Sequence, residues 1–449
     1  MNMSGKETYR VGAGSGFAGD RYDPAEVLAT HGDLDALVFE CLAERTIAVA
    51  QENLRAGISQ GFDDRILNRL AGTLPKMAAR GGIIVTNAGA ANPRAAAIAI
   101  KDAQKNWHDQ NSRIASVSGD DVLAKLNRKN INVLGTELTL ADYGDRIVSA
   151  NAYIGADGIV SALESGADVV VAGRCADAAL FVAPMVHHFG WHMADLDVLA
   201  KATLVGHLLE CAGQLTGGYF ADGIEKLVPD LWNLGFPFAD VGADGEATYS
   251  KVRGTGGLIS RQTVLEQLLY EIDNPSNYKT PDVNVDLTDI SVLPIADDCV
   301  SVTGAKSAGR PDELKASVGV RDGFLGTGQI AYSGTTCVAR AIQAGDLVRE
   351  RWSKIFGQNP NDIQVDFVGV NSTRPWLASH NAGATEVIVR FGLRTLDEQL
   401  AIAFCQEVES LYTNGPAAGG GASASYKSTI GIVSVMVPRD LVELEVEVF

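Results

Sequence analysis

Along roughly the first 184 residues, short apolar runs alternate with helical spacings, and no other feature narrows the fold as much. The runs fall at 9–11, 36–40, 82–86, 113–117, 131–134 and 168–172. Between them, 24–31, 93–105 and 157–166 space their apolar residues for one helix face and carry Pro or Asp near the start. Val169, Val170 and Val171 stand in an unbroken run, as a strand buried on both faces requires. This alternation predicts a parallel sheet covered by helices, either doubly wound or barrel-like.

From about Trp191 the pattern turns helical, clearest over 200–209 and 262–272, with glycine-rich loops between. Several short strand-like segments at 281–345, broken by Gly, Pro and Asp, predict an antiparallel layer. The last part reads strand (364–370), strand (385–390), helix (396–411) and strand (429–437), a β-β-α-β order of α+β type. Leu396, Leu400, Phe404, Val408 and Leu411 would form one buried stripe of that helix. The expected organisation is an α/β core over 1–190, a mixed helical and β-rich region over 191–361 that completes it, and an α+β part over 362–449.

The chain has 37 Lys and Arg against 55 Asp and Glu, a net charge of −18. Neutralising phosphates needs clustered cations, so this balance argues against nucleic-acid or anionic-lipid binding. No apolar stretch reaches the roughly 20 residues of a membrane span, and the polar start lacks the pattern of a signal peptide. Six cysteines (Cys41, Cys175, Cys211, Cys299, Cys337, Cys405) include no C-x-x-C pair, which argues against a zinc ribbon or a disulfide-framed secreted fold. A cytoplasmic location is expected.

Several segments have residue types suited to chemistry. Gly14-x-Gly16-x-x-Gly19, with Glu40 some twenty residues on, has the letters of a dinucleotide fingerprint. Pro24 follows closely, and the residue before proline disfavours helix, so a tight turn bearing Asp20 and Arg21 is the better reading. Asn92 and Pro93 suit a helix start; its exposed amides, with Asn87 and Arg94, make either an anion site or a plain capped helix. Arg174 and Asp177 directly follow the valine run, where ligands bind in open α/β sheets, and either serve a site or brace the loop as an ion pair. His207 and Glu210 share a helix face, which suits half of a divalent-metal site, an acid–base pair or a satisfied core histidine. Thr255, Gly256 and Gly257, flanked by Lys251 and Arg253, suit the phosphates of a nucleotide or coenzyme A. Residues 414–421 are too glycine-dense for a strand and form a connection or an anion nest.

In combination, the stretches 11–21 (VGAGSGFAGDR), 42–46 (LAERT), 86–94 (TNAGAANPR), 172–177 (AGRCAD), 206–211 (GHLLEC), 216–222 (TGGYFAD), 254–258 (GTGGL), 266–271 (EQLLYE) and 411–416 (LYTNGP) resemble the acyclic terpene utilisation protein AtuA family, over nearly the whole chain. The resemblance implies catabolism of branched acids as coenzyme A thioesters. Longer members add a ferredoxin-fold domain with an SGDKG-like stretch, so a small companion subunit is expected to dock on this chain within an oligomer. The expected chemistry is that of a lyase, a hydratase or dehydratase, on a branched, carboxylated acyl substrate. Arg21, Asn87, Asn92, Arg94 and Arg174 are the expected carboxylate binders. Asp20, Glu44, Asp177, His207 and Glu210 are the expected proton carriers, with Asp177 or His207 as base. A non-catalytic acyl-CoA-binding scaffold and an NAD(P)-linked oxidoreductase are the other classes these motifs allow. The pocket for negative charge expected here has the guanidinium groups meeting at one rim of the amino-terminal half.

Overall fold

A computed structural model describes residues 8–107, 112–126, 131–373 and 384–449. The chain opens with β1 (Thr8–Ser15), α1 (Asp23–His31), β2 (Ala36–Phe39), α2 (Glu44–Arg55), α3 (Arg65–Ala78), β3 (Ile83–Thr86) and α4 (Pro93–Ala103). It continues through β4 (Ile114–Ser118), β5 (Ile147–Ala152), α5 (Asp157–Glu164), β6 (Val169–Ala172), α6 (Ala179–Phe189) and α7 (Leu196–Leu209). Next come β7 (Pro237–Gly242), β8 (Ala247–Lys251), α8 (Arg261–Leu269), β9 (Tyr278–Lys279) and β10 (Asn284–Asp286). β11 (Ser291–Ala296), β12 (Cys299–Thr303), β13 (Lys306–Ser307) and β14 (Glu313–Ser333) follow. The last elements are α9 (Cys337–Lys354), β15 (Ile363–Val368), β16 (Glu386–Thr395), α10 (Glu398–Asn414), β17 (Gly420–Pro438) and β18 (Glu445–Val448).

These elements form two compact units, one of Met1–Gly319 with Ile432–Phe449 and one of Val320–Gly431. The divisions do not fall at 190 and 361, because α7, β7 and β8 share the core of the amino-terminal strands. A ten-stranded mixed sheet, in the order β11-β12-β8-β7-β1-β2-β3-β6-β4-β18, spans the first unit. Its centre, β1-β2-β3-β6-β4, is parallel, with Val38 opposite Val85 and Val85 opposite Val170. β2 and β6 are buried along their full length, as unbroken apolar runs must be when helices cover both faces. The sheet runs as an open path from β11 to β18.

Right-handed crossovers assign the helices to the two faces. Strands β1 to β3 and then β4 advance in one direction, so α1, α3 and α4 pack side by side on one face. The chain then steps back from β4 to β6, and α5, α6 and α7 pack on the other. β3 and β6 are therefore neighbours whose following helices leave to opposite faces. Such a switch point opens a crevice at the carboxyl ends of the strands.

In the second unit the strand order is β15-β16-β14-β17, with antiparallel pairing of β14 and β15 to β16. Helices follow β14 and β16 in the chain, so the unit is a ferredoxin-like β-α-β-β-α-β. Trp352, Phe391, Phe404 and Val408 form its core. The segments read separately near 313–333 are one 21-residue strand, β14. Residues 131–134 make only isolated bridges, Asn132 to Thr139 and Val133 to Val435. Leu396 precedes α10 and is exposed, whereas Phe404, Val408 and Leu411 are buried. Gly420 and Gly421 begin β17, so glycine density did not preclude a strand there. Among the described residues, no helix is long and apolar enough to cross a membrane.

Candidate functional site

Four of the parallel strands end in polar residues at the carboxyl edge: Glu40 after β2, Asn87 after β3, Asp120 after β4 and Arg174 after β6. All four are buried. Asn87 ties two of these loops together. Its Oδ1 accepts the Cys41 amide at 2.7 Å, and its Nδ2 donates to Glu40 Oε1 at 3.0 Å. The Leu42 amide also donates to Glu40 Oε1, at 2.7 Å, while the Leu42 carbonyl accepts from Arg174 Nη1. One peptide segment thus holds an acid on one side and a guanidinium on the other.

The same Arg174 Nη1 reaches Asp177 Oδ1 at 3.1 Å, with the arginine side chain 3% exposed and the aspartate 31%. Asp177 is the member of this group that meets solvent. The Arg174 guanidinium lies 4.1 Å from the Tyr153 ring centroid, and the Lys315 ammonium 5.2 Å from the same ring. Tyr153 Oη donates to Glu44 Oε1 at 2.5 Å, and Lys315 Nζ donates to the same oxygen at 2.8 Å.

The charges follow from these surroundings. Burial, then the neighbouring Asp177 charge, push the Glu40 carboxyl up to about 8, despite hydrogen bonds from Asn87 and Leu42. Burial and Glu271 raise Asp177 against the pull of Arg174. Glu44 is held below its ordinary value: burial works against its charge, but Lys315 and Tyr153 outweigh it. Glu40 thus keeps its proton at neutral pH beside a solvent-reaching carboxylate. Perturbed acids at the carboxyl ends of parallel strands make this cluster the candidate functional site.

His207 and Glu210 stand next to this group but face inward. The His207 ring is 1% exposed; Nδ1 meets Glu210 Oε1 at 3.1 Å and Nε2 meets the Leu268 carbonyl at 3.1 Å. A carbonyl accepts only, so Nε2 carries hydrogen, and the Glu210 pair shares the remaining proton. With both nitrogens engaged, His207 braces α7 against α8 instead of reaching substrate as a base or holding a metal. Among the described residues no group of three His, Cys, Asp or Glu is placed to hold a metal ion. His207→Ala leaves Glu210 buried without its partner and is expected to lower stability by about 3 kcal/mol in chemical denaturation.

The other expected binders lie elsewhere. Asn92 caps α4, accepting the Ala95 amide at 3.1 Å, and donates to the Gln60 carbonyl at 3.1 Å. Arg94 pairs with Glu447 at 2.8 and 3.2 Å. Arg21 donates to the Leu231 and Trp232 carbonyls at 3.1 and 3.2 Å. The three guanidinium groups therefore do not converge, and of them Arg174 alone joins the site.

Asp20 accepts the Gly16 and Arg21 amides at 3.0 Å each and shapes its own turn. Added Cβ atoms at Gly14 and Gly16 would lie 2.5 Å from the Phe39 ring and 2.6 Å from the Cys211 backbone, so these glycines serve packing. With the Gly16 amide taken and Glu40 buried, no dinucleotide cradle forms. The loop at Thr255, Gly256 and Gly257 also turns inward: the two glycine amides donate to the Asn233 and Pro229 carbonyls at 2.8 Å, and Thr255 Oγ1 to Val252 at 2.6 Å. No amides remain there for coenzyme A phosphates.

Asp120, Lys315, Tyr153 and Arg69 escaped sequence reasoning. Tyr153 carries no motif. Buried Arg69, on α3, donates to the carbonyls of Ala18, Asp20 and Arg21 at 3.2, 3.0 and 3.2 Å, fixing the first glycine turn.

The fold and site define an α/β protein with a cluster of acids and one buried arginine at the carboxyl edge of its parallel strands. Residues 9–448 match the family model described as acyclic terpene utilisation family protein AtuA, and the chain belongs to that family. The description places it in the utilisation of acyclic terpenes, a catabolic role. No curated protein and no solved structure matches the chain significantly.

Proposed function

We propose that the chain is a lyase of the hydratase/dehydratase kind, acting on a branched, carboxylated acyl substrate. One observation carries this reading: a proton-holding acid, Glu40, lies near enough to feel the charge of a solvent-reaching carboxylate, Asp177, which is paired with Arg174, itself bound to the Leu42 carbonyl. Paired carboxyls whose surroundings push their proton affinities apart suit paired acid and base roles. In the addition direction, Asp177 takes a proton from water as the water oxygen bonds to the β-carbon. Glu40 gives its proton to the α-carbon, and Arg174 offsets charge on the acyl oxygen. Solvent then returns a proton to Glu40 and removes one from Asp177.

The test supplies branched 2-enoates, free and as coenzyme A thioesters, in H2(18)O. The wild-type chain is expected to place label in a hydroxy product, and Asp177→Asn to do so at least ~100-fold more slowly. Equal rates in the variant would overturn the acid–base assignment. Binding without any turnover by the wild type would favour a scaffold instead.

A further inference from the structure

A second feature lies along the same edge of the sheet. A concavity of about 300 Å3 opens beside the carboxyl end of β4, with Gln51, Asp120, Asp121, Glu443 and Glu445 in its wall. Gln51 and Asp120 are each only 4% exposed. The Gln51 side chain lines the concavity and makes no side-chain hydrogen bond among the described residues. Asp120 Oδ2 accepts from Asn151 Nδ2 at 2.8 Å and from the Arg174 amide at 3.1 Å.

Two nearby cations of the described residues are already engaged. Lys125 is bound to Glu443 at 3.0 Å and to the Leu441 carbonyl at 3.1 Å. Arg55 reaches Asp121 at 3.5 Å and donates to the Val148 carbonyl. Among the described residues, Asp120 and Glu445 have no cation paired with them. A ligand carrying donors would give the buried Asp120 carboxylate the positive partner it lacks and would meet the Gln51 side chain that opens onto the concavity.

We propose that this concavity binds a small organic cation, an ammonium or guanidinium group on a short aliphatic stem. Such groups are donors without acceptors, which matches carboxylates and an amide oxygen. Ala91 and Pro93 supply an apolar wall for the stem. The volume lies at the small end of ligand cavities. A bare metal ion is a poorer fit, because no three candidate ligands gather among the described residues. Burial pushes the Asp120 carboxyl up to about 6, and a bound cation would relieve that cost. The carboxylated substrate proposed above would be repelled, so this ligand is a different molecule.

The experiment is isothermal titration calorimetry of the full chain with n-butylammonium and n-butylguanidinium, with n-butanol as neutral control. A net charge of −18 attracts any cation diffusely, so stoichiometry decides. The expected result is saturable one-to-one binding of a cation and none of butanol, weakened at least tenfold in Gln51→Leu and Asp120→Asn. Glu445→Gln, an exposed change that leaves the fold intact, should weaken it at least twofold. Non-saturable heats, equal affinity in all three variants, or equal binding of butanol would overturn the proposal.

Discussion

Arg174→Ala is expected to lower stability by about 3 kcal/mol and to abolish turnover, the largest combined effect of any single change in the chain. The side chain is 3% exposed and holds Asp177 at 3.1 Å, the Leu42 carbonyl and the Tyr153 face. Removing one partner of a buried pair leaves the other charge uncompensated, which costs about 3–5 kcal/mol; the partial exposure of Asp177 favours the lower end. Arg174→Met combined with Asp177→Asn should recover most of the stability but none of the activity. A double-mutant cycle from urea denaturation midpoints measures the difference. Full additivity of the two changes would show that the pair contributes nothing.

Glu40→Gln is expected to reduce turnover by about 10²–10⁴-fold while making the chain less sensitive to alkali. The sign follows from proton binding. Glu40 holds its proton up to about 8 in the folded chain, against an ordinary value of 4.5. Between those values the folded state binds more protons than the unfolded state, so stability falls as pH rises. The slope is about 1.4 kcal/mol per pH unit for one group. The stability advantage of Glu40→Gln should therefore grow by about 2–3 kcal/mol from pH 5 to pH 7, read from denaturant curves at each pH. A constant difference across that range would mean that Glu40 ionises normally.

Much of the architecture was legible because local signals agreed with the global fold. The valine run at Val169–Ala172 and the Asn92 cap before Pro93 each lie where their chemistry predicts. β14 was not legible as one strand, since its glycines look like breaks. Gly326 and Gly328 instead make room for Phe404 and Val408, which an added Cβ would approach to 2.6 and 2.7 Å. Helix α6 was missed because it is buried nearly all round and includes Pro184, so it shows little amphipathic contrast.

Part of the site was legible too. Arg174 and Asp177 were singled out because they follow a strand at the edge where ligands bind, and Asn87 because it lies beside the exposed amides of a helix start. Glu40 was read only as a ribose acid. Its actual neighbours come from β3 and β6, and strand order is a long-range property that spacing does not encode. Arg94 misled for the opposite reason: its position at a helix start is correct, but Glu447, some 350 residues away in the chain, occupies it.

Titration of the Glu40 carboxyl by carbon-13 NMR, assigned by its disappearance in Glu40→Gln, tests the acid–base pair without needing a substrate. A midpoint near 8 is expected, moving down in Asp177→Asn as the neighbouring charge is removed. A midpoint near the ordinary 4.5 in the wild-type chain would contradict the assignment of Glu40 as the acid.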